Sequence, residues 1–310
     1  MIISTGMRTD IPAFYSKWFM NRIREGYVCA RNPYYPKLVT KYNLNSDYVD
    51  CIQFCTKNPY PMLKYLDELK QYNMLWYVTI TPYGKDIEPN VWDKNTIIKS
   101  FQELAKKLPN SFVGWRYDPI FLNEDFTVER HIKEFENIAK QLKGYTTTCA
   151  ISFLDLYEKV KRNAPDLIRP CKNDQIKIAQ SFSRIGKKYG IEVYACCETS
   201  YLKEYGLNCT GCQNSKIIQS AISYKINLPK AKNTRDGCLC FMGNDIGAYD
   251  SCGHFCRYCY ANTNRSNVIN NLKNHFDDSP LLIGRIQDDD IVKESSAKSY
   301  RIKSEQISLF

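Results

Sequence analysis

Histidine is scarce in this chain, and long apolar runs do not occur. Among 310 residues only His131, His254 and His275 carry imidazole, which weighs against a zinc site built from a mixture of cysteine and histidine. No stretch approaches the roughly 20 apolar residues that a membrane-spanning helix requires. Residues 1–30 lack the basic segment, apolar run and small-residue cleavage site of a secretory leader. A cytoplasmic location is therefore expected, where clustered thiols hold metal more often than they pair as disulfides. No internal repeat is visible beyond an alternation of strand and helix.

The bulk composition is ordinary and the detail is not. Hydrophobic residues make up 44% and charged residues 25%, as in a soluble globular domain. The length suits one large α/β domain or two ordinary ones. The formal net charge of +10, with 23 tyrosines and 14 phenylalanines among the basic residues, permits DNA or another anionic partner.

The 14 cysteines are unevenly spread. Cys29, Cys51, Cys55, Cys149 and Cys171 are scattered and read as small buried hydrophobes. Cys196, Cys197, Cys209, Cys212, Cys238, Cys240, Cys252, Cys256 and Cys259 crowd into the stretch from residue 196 to residue 259. The tightest spacing is Cys252-Gly253-His254-Phe255-Cys256-Arg257-Tyr258-Cys259, a C-x3-C-x2-C loop whose three thiolates can converge on one metal centre. Soft sulfur ligands suit an iron–sulfur cluster, with zinc as the alternative metal. Three ligands on a four-iron cubane leave one iron open to an outside ligand.

From residue 1 to about 198 the chain alternates short β-branched or aromatic runs with segments of helical period. Strands are expected at 1–4, 48–55, 74–81, 112–117, 147–153 and 191–197, with a further strand or strand edge at 238–245. In the first helical segment Asp10 caps, Pro12 sits in the opening turn, Phe14, Trp18 and Ile23 form a buried stripe and Gly26 ends the helix. Ile97, Phe101, Leu104 and Leu108 form a later stripe; Val128, Ile132, Phe135, Ile138 and Leu142 form another. Serial βα units require a parallel sheet covered by helices. We expect a (β/α)8-like, TIM-type barrel, incomplete or permuted, in preference to a doubly wound open sheet. Residues 1–250 would form the barrel, 251–262 the cysteine loop completing its site, and 263–310 a mostly solvated C-terminal extension with one helix.

Barrel enzymes build their sites at the C-terminal ends of the strands. The polar residues that follow the apolar runs are Arg8, Thr9 and Asp10, then Lys57 and Asn58, Tyr83, Arg116 and Asp118, and Glu198. Shared between neighbouring strands they would line one mouth, suited to an anionic or zwitterionic ligand. Each also has a plain structural reading: Asp10 as a helix cap, Lys57-Asn58-Pro59 as a turn, Arg116 with Asp118 as a local ion pair.

The cysteine loop, with Tyr258 before the last cysteine and Tyr260-Ala261-Asn262 after it, resembles the cluster loop of radical S-adenosylmethionine enzymes of the spore photoproduct lyase type. That resemblance implies a [4Fe–4S] cluster on Cys252, Cys256 and Cys259, S-adenosylmethionine on the fourth iron and a radical formed by one-electron reduction. It also implies that Arg8, Asp10, Lys57, Arg116, Asp118 and Glu198 bind cofactor or substrate, with a nucleic-acid lesion as one candidate. Two features depart from the pattern. The motif stands near the end of the chain instead of after the first strand, and a glycine-glycine-acid segment for the methionine moiety is not evident.

A longer resemblance, to domain-of-unknown-function family 1848, runs through Arg8-Thr9-Asp10-Ile11-Pro12, Thr56-Lys57-Asn58-Pro59, Thr81-Pro82-Tyr83-Gly84, Trp115-Arg116-Tyr117-Asp118-Pro119 and Asp245-Ile246-Gly247-Ala248-Tyr249 into the cysteine loop. It implies a C-terminal cysteine cluster to which Cys238 and Cys240 also belong. Either as a fourth ligand would close the open iron, giving a non-catalytic barrel adaptor with a structural iron–sulfur or zinc site. Cys196, Cys197, Cys209 and Cys212 are candidates for a second metal site, and the Cys209–Cys212 pair reads either as part of it or as two buried thiols on one turn. Finally, Gln306-Ile307-Ser308-Leu309-Phe310 resembles the peptide by which bacterial replication and repair proteins dock on the sliding clamp.

Overall fold

The structure, a computed structural model, describes residues 1–109, 112–198, 200–229 and 237–302. In chain order the elements are β1 (Ile2–Ser4), α1 (Ile11–Phe14), α2 (Ser16–Glu25), β2 (Tyr27–Arg31), β3 (Leu38–Asn43), β4 (Cys51–Thr56), β5 (Met74–Thr79), α3 (Lys94–Lys107), β6 (Phe112–Ile120), α4 (Val128–Leu142), β7 (Thr148–Phe153), α5 (Glu158–Asn163), α6 (Lys172–Tyr189), β8 (Glu192–Ala195), α7 (Ser215–Ser220), β9 (Asn244–Asp245), α8 (Arg265–Lys273) and β10 (Ile291–Glu294). Short 3₁₀ turns at Tyr60–Tyr65 and Ser200–Tyr205 complete them.

Seven strands form the central sheet in the order β8-β7-β6-β5-β4-β1-β9, and every neighbouring pair is parallel. Both faces are buried, which explains why the strands read as continuous apolar runs. On the helix-covered face Phe54 stacks on Trp76 at 3.9 Å, and Trp115, Phe135 and Phe182 stack in series at 4.7 Å and 3.7 Å between ring centres. The opposite face presents Cys51, Leu75, Tyr77, Ala150 and Tyr194, packed with Ile217 and Ile218 of α7. The helices end where the sequence demands: Asp93 and Thr127 accept hydrogen bonds from the first turns of α3 and α4, and Gly26 and Gly190 take the left-handed conformation after α2 and α6.

This is a mixed α/β architecture with a parallel sheet and flanking helices. Among the described residues its strand ladder does not form a closed ring, because β8 and β9 are its two edges. A single parallel bridge from Tyr194 to Asn208 extends the β8 edge. Beyond it, the Phe241 N–H donates to the Gln213 carbonyl at 2.9 Å. Of the strand expected at 238–245, only Asn244–Asp245 has ladder pairing.

Other departures have clear causes. The first helical segment is broken at Tyr15 into α1 and α2, and Phe14 is 38% exposed instead of joining the core. Cys29, Cys51 and Cys149 are buried as expected, whereas Cys171 is exposed at the head of α6. The hairpin β2–β3 has no counterpart among the expected strands, and β10 adds to it in parallel as a second, three-stranded sheet. The C-terminal extension contains the expected helix, α8, but up to residue 302 it is docked. Asp50 accepts from the Ser299 hydroxyl at 2.5 Å and from the Tyr300 N–H at 2.7 Å, and the Ile302 N–H donates to the Lys225 carbonyl at 3.0 Å. None of the described helices is long and apolar enough to cross a membrane. The clamp-type peptide at 306–310 lies outside the described residues.

Candidate metal centres at the strand ends

Parallel strands bring their C-terminal ends to one side of a sheet, and here that side collects charge. Lys57, after β4, donates to Glu88 at 2.8 Å; Thr81 donates to the same carboxylate at 2.7 Å, and Lys94 binds its other oxygen. Glu88 is 1% exposed. Burial alone would raise its pKa, but Lys57 and Lys94 outweigh that and hold it well below the usual carboxylate range. On β6, Arg116 pairs with Asp118, which also accepts from Ser152 of β7. Glu198, after β8, accepts from the Phe153 N–H at 2.9 Å and from Arg169 at 2.8 Å. Arg8, after β1, pairs with Asp245 at the end of β9.

The pairing of β9 with β1 carries the chain back to its first strand, with Ile3 opposite Asn244 and Ser4 opposite Asp245. The loop after β9 is therefore placed beside the end of β1. Its ties to the charged site are specific. His254 Nε2 lies 2.9 Å from Asp10 Oδ2, and that oxygen also accepts from the Lys57 N–H at 2.7 Å, while Asp10 Oδ1 caps α1 through the Ala13 N–H at 3.1 Å. Tyr258 donates its hydroxyl to Glu88. Asn90 donates its side-chain amide to the Gly253 carbonyl at 2.8 Å.

Within the loop two of the three sulfurs face main-chain donors. The His254 N–H faces Cys252 and the Ala261 and Asn262 N–H groups face Cys259, while Cys256 lies beside the Tyr258 hydroxyl, whose proton goes to Glu88, and beside the Lys57 ammonium. Phe255 takes a left-handed φ of 56°, a conformation that turns successive amides toward one concavity and recurs at iron–sulfur sites. Burial nevertheless dominates all three thiols and pushes Cys256 up to about 12. A metal is the group that would offset this, since it replaces the proton and neutralises the thiolate. Around the same mouth, Thr9 Oγ1, Arg116 Nε, Asp245 Oδ1, His254 Nδ1 and Asn262 Oδ1 are buried with no hydrogen-bond partner. Orphaned polar atoms at such density fit a site shaped for a polar ligand.

A second group of thiols occupies the inner face of the sheet. Cys212 Sγ lies 3.3 Å from Cys196 and 3.5 Å from Cys240, and Cys196 lies 3.7 Å from Cys240. Among the described residues this is the trio of metal-ligating atoms that falls within 4.8 Å, and all three residues are buried. Cys197 stands 3.8 Å from Cys196. Cys238 contacts the thiols of Cys197 and Cys240, whose hydrogen bonds favour its thiolate. Hydrogen bonds from Cys197, Cys212 and Cys240 likewise favour the Cys196 thiolate, with Arg116 assisting.

Of the residues singled out from the sequence, Asp10 and Lys57 are joined directly, and Arg116 is joined to Asp118. Arg8 and Glu198 sit at neighbouring strand ends with other partners. The structure brings Cys240 to Cys196 and Cys212, and Cys238 to Cys240, so both belong to the inner group. Of the Cys209–Cys212 pair, only Cys212 enters the trio. Glu88, His254, Asp245 and Arg169 join the site without having been singled out. His254 had one signal, its position inside the cysteine loop, and Asp245 another, its place in the segment that resembles the family; Glu88 and Arg169 had none.

Residues 2–261 match the family described as Domain of unknown function (DUF1848), and the chain belongs to that family. No curated protein matches it. Among solved structures it is similar to that of a candidate alpha-L-fucosidase from Bacteroides thetaiotaomicron, at 12% identity and a TM-score of 0.30. The match covers 50% of this chain and 66% of that protein, a likeness too slight to carry an argument.

Proposed function

We propose that this member of the family is an iron–sulfur enzyme of radical S-adenosylmethionine type. Cys252, Cys256 and Cys259 would hold a [4Fe–4S] cluster, and the strand-end residues would bind cofactor and substrate. The observation that carries the reading is the direct coupling of the cysteine loop to the charged mouth, through His254 to Asp10 and Tyr258 to Glu88. Three soft donors, two facing main-chain N–H groups and one beside the Lys57 ammonium, match the chemistry of the cluster. When bound, such a centre supplies one electron to a sulfonium ligand.

The chain's own residues have definite tasks in this scheme. Lys57 places a fixed positive charge beside Cys256, and Glu88 keeps it protonated against the cost of burial. Arg116 offers its unpartnered Nε to a carboxylate, and Asp245 its unpartnered Oδ1 to an ammonium or hydroxyl group. Asp10 fixes the loop by holding His254 and the Lys57 backbone together. The net charge of +10 and the exposed rings of Tyr60, Trp92, Tyr157 and Tyr260 near the mouth favour a nucleic-acid substrate, since such rings stack on bases. A clamp-docking tail at 306–310 belongs to the same reading, as a means of delivery to DNA.

Anaerobic purification with iron and sulfide analysis, followed by electron paramagnetic resonance, tests it. About four irons per loop centre are expected, with a reduced-cluster signal that shifts on adding S-adenosylmethionine. Absence of acid-labile sulfide would overturn the reading.

A further inference from the structure

The inner cysteine group makes a demand that the loop centre does not meet. Three thiols at 3.3–3.7 Å are too far apart to be disulfide-bonded. They are also close to the spacing of ligands on one ion: a tetrahedron with zinc–sulfur bonds of about 2.3 Å has an edge of about 3.8 Å. In a cubane each thiolate binds a different iron, which holds the sulfurs farther apart than the edge of one tetrahedron.

We infer that Cys196, Cys212 and Cys240, completed by Cys238, bind a single tetrahedral zinc ion that fastens the two edges of the central sheet. Its ligands come from stretches that the strand ladder leaves unjoined. Cys196 follows β8, Cys212 follows the bridge at Asn208, and Cys238 and Cys240 precede β9. Cys238 takes the fourth position because it stands two residues before Cys240 and contacts its thiol. Cys197, in a left-handed conformation with its sulfur 3.8 Å from that of Cys196, is the competing thiol that the variants below separate from Cys238.

Local construction agrees. Gly211 has a φ of 89°, and a Cβ there would stand 3.1 Å from the Leu239 carbonyl carbon. Only glycine lets the Cys212 and Cys240 segments approach this closely. Tyr77 donates its hydroxyl to the Cys212 carbonyl at 2.5 Å, and the Gln213 N–H faces the Cys240 sulfur at 3.4 Å. Donors to ligand atoms of this kind orient and tune a metal site.

The test separates this centre from the loop centre by using the full chain with Cys252, Cys256 and Cys259 all changed to Ser. After anaerobic gel filtration in chelator, that variant should keep one zinc per chain and no acid-labile sulfide. Adding Cys212→Ser or Cys238→Ser should lower zinc to less than about a tenth of an equivalent, whereas Cys197→Ser should retain it. Iron with sulfide in the triple variant, or a folded triple variant without zinc, would overturn the inference; so would zinc lost with Cys197 and kept without Cys238. If the cysteine variants fail to fold, cobalt(II) exchanged into the otherwise unaltered chain gives a second readout. Tetrahedral cobalt–thiolate bands support the site, and their absence refutes it. Loss of sulfide from the wild type would sink the loop reading and leave this one standing.

Discussion

His131 accepts the Tyr117 hydroxyl at Nδ1, 2.8 Å away, and donates from Nε2 to the Phe121 carbonyl at 2.7 Å. A carbonyl only accepts, so the ring is neutral with its proton on Nε2. Burial lowers its pKa to about 4, while an unfolded histidine titrates near ~6.5. Between those values the unfolded chain binds the extra proton, so stability falls as pH drops from about 6.5 to about 4, by up to roughly 3 kcal/mol. Urea midpoints at pH 7, 6 and 5 should show this slope, and His131→Gln should flatten it. Glu88 makes a different prediction. Glu88→Gln leaves Lys57 and Lys94 buried without their counter-charge and should cost about 3 kcal/mol in urea unfolding at neutral pH. The two residues differ in how they could be found. His131 was visible in the sequence as one of three histidines. Glu88 acquires its role from Lys57, 31 positions away, and Tyr258, 170 positions away, and nothing in its own neighbourhood announces that. Arg8, Asp10, Lys57 and Glu198 were found because each comes shortly after a strand, and Arg116 and Asp118 because they stand in the C-terminal half of β6, and one end of a parallel sheet is shared.

The central strands were legible because burial on both faces leaves an apolar run, and α3 and α4 because a one-sided helix leaves a stripe. Elements held by main-chain pairing and isolated ion pairs leave no such trace. β10 is exposed along its whole length, yet it pairs with β3 from Ile291 opposite Leu38 to Glu294 opposite Lys41, with Arg31 reaching Asp290 at 2.6 Å. Whether the sheet closes was illegible for another reason: among the described residues the stretches between β8 and β9 carry isolated bridges and single main-chain bonds instead of strand ladders, so they leave no hydrophobic period. The docked end of the chain depends on Asp50, which is fully buried and also accepts from Tyr224 at 3.0 Å. Asp50→Ala removes the acceptor for Ser299, Tyr300 and Tyr224 together, half-buried donors whose lost bonds cost about 0.5–1.5 kcal/mol each, and it also strips the buried Met1 ammonium of its carboxylate partner. Limited proteolysis should then cut within residues 295–302 well before the central sheet, whereas the wild type should be cut there no faster than elsewhere. Equal cleavage in both proteins would show that Asp50 does not anchor the segment.

The order of parts along the whole chain bears on recruitment. The cysteine loop comes late in sequence yet sits at the first strand because β9 pairs with β1, so the chemistry at the mouth is assembled before the chain runs on through α8, β10 and the Asp50 contact. Past Ile302 the sequence continues with Lys303-Ser304-Glu305 and then Gln306-Ile307-Ser308-Leu309-Phe310, a polar lead into two adjacent apolar anchors. Short docking peptides draw most of their affinity from one or two such anchors seated in a pocket. A labelled peptide ending in Gln-Ile-Ser-Leu-Phe should therefore raise its fluorescence anisotropy with purified bacterial sliding clamp. Phe310→Ala should weaken binding by about 2 kcal/mol, roughly 30-fold. In the full chain, deleting residues 306–310 should abolish clamp binding but leave the melting temperature, zinc and acid-labile sulfide unchanged, because none of the ligands proposed for either metal centre lies beyond Cys259. A deletion that lowered metal content or stability would instead assign Leu309 and Phe310 to the chain's own packing, and an unresponsive peptide at high-micromolar clamp would remove the docking role altogether.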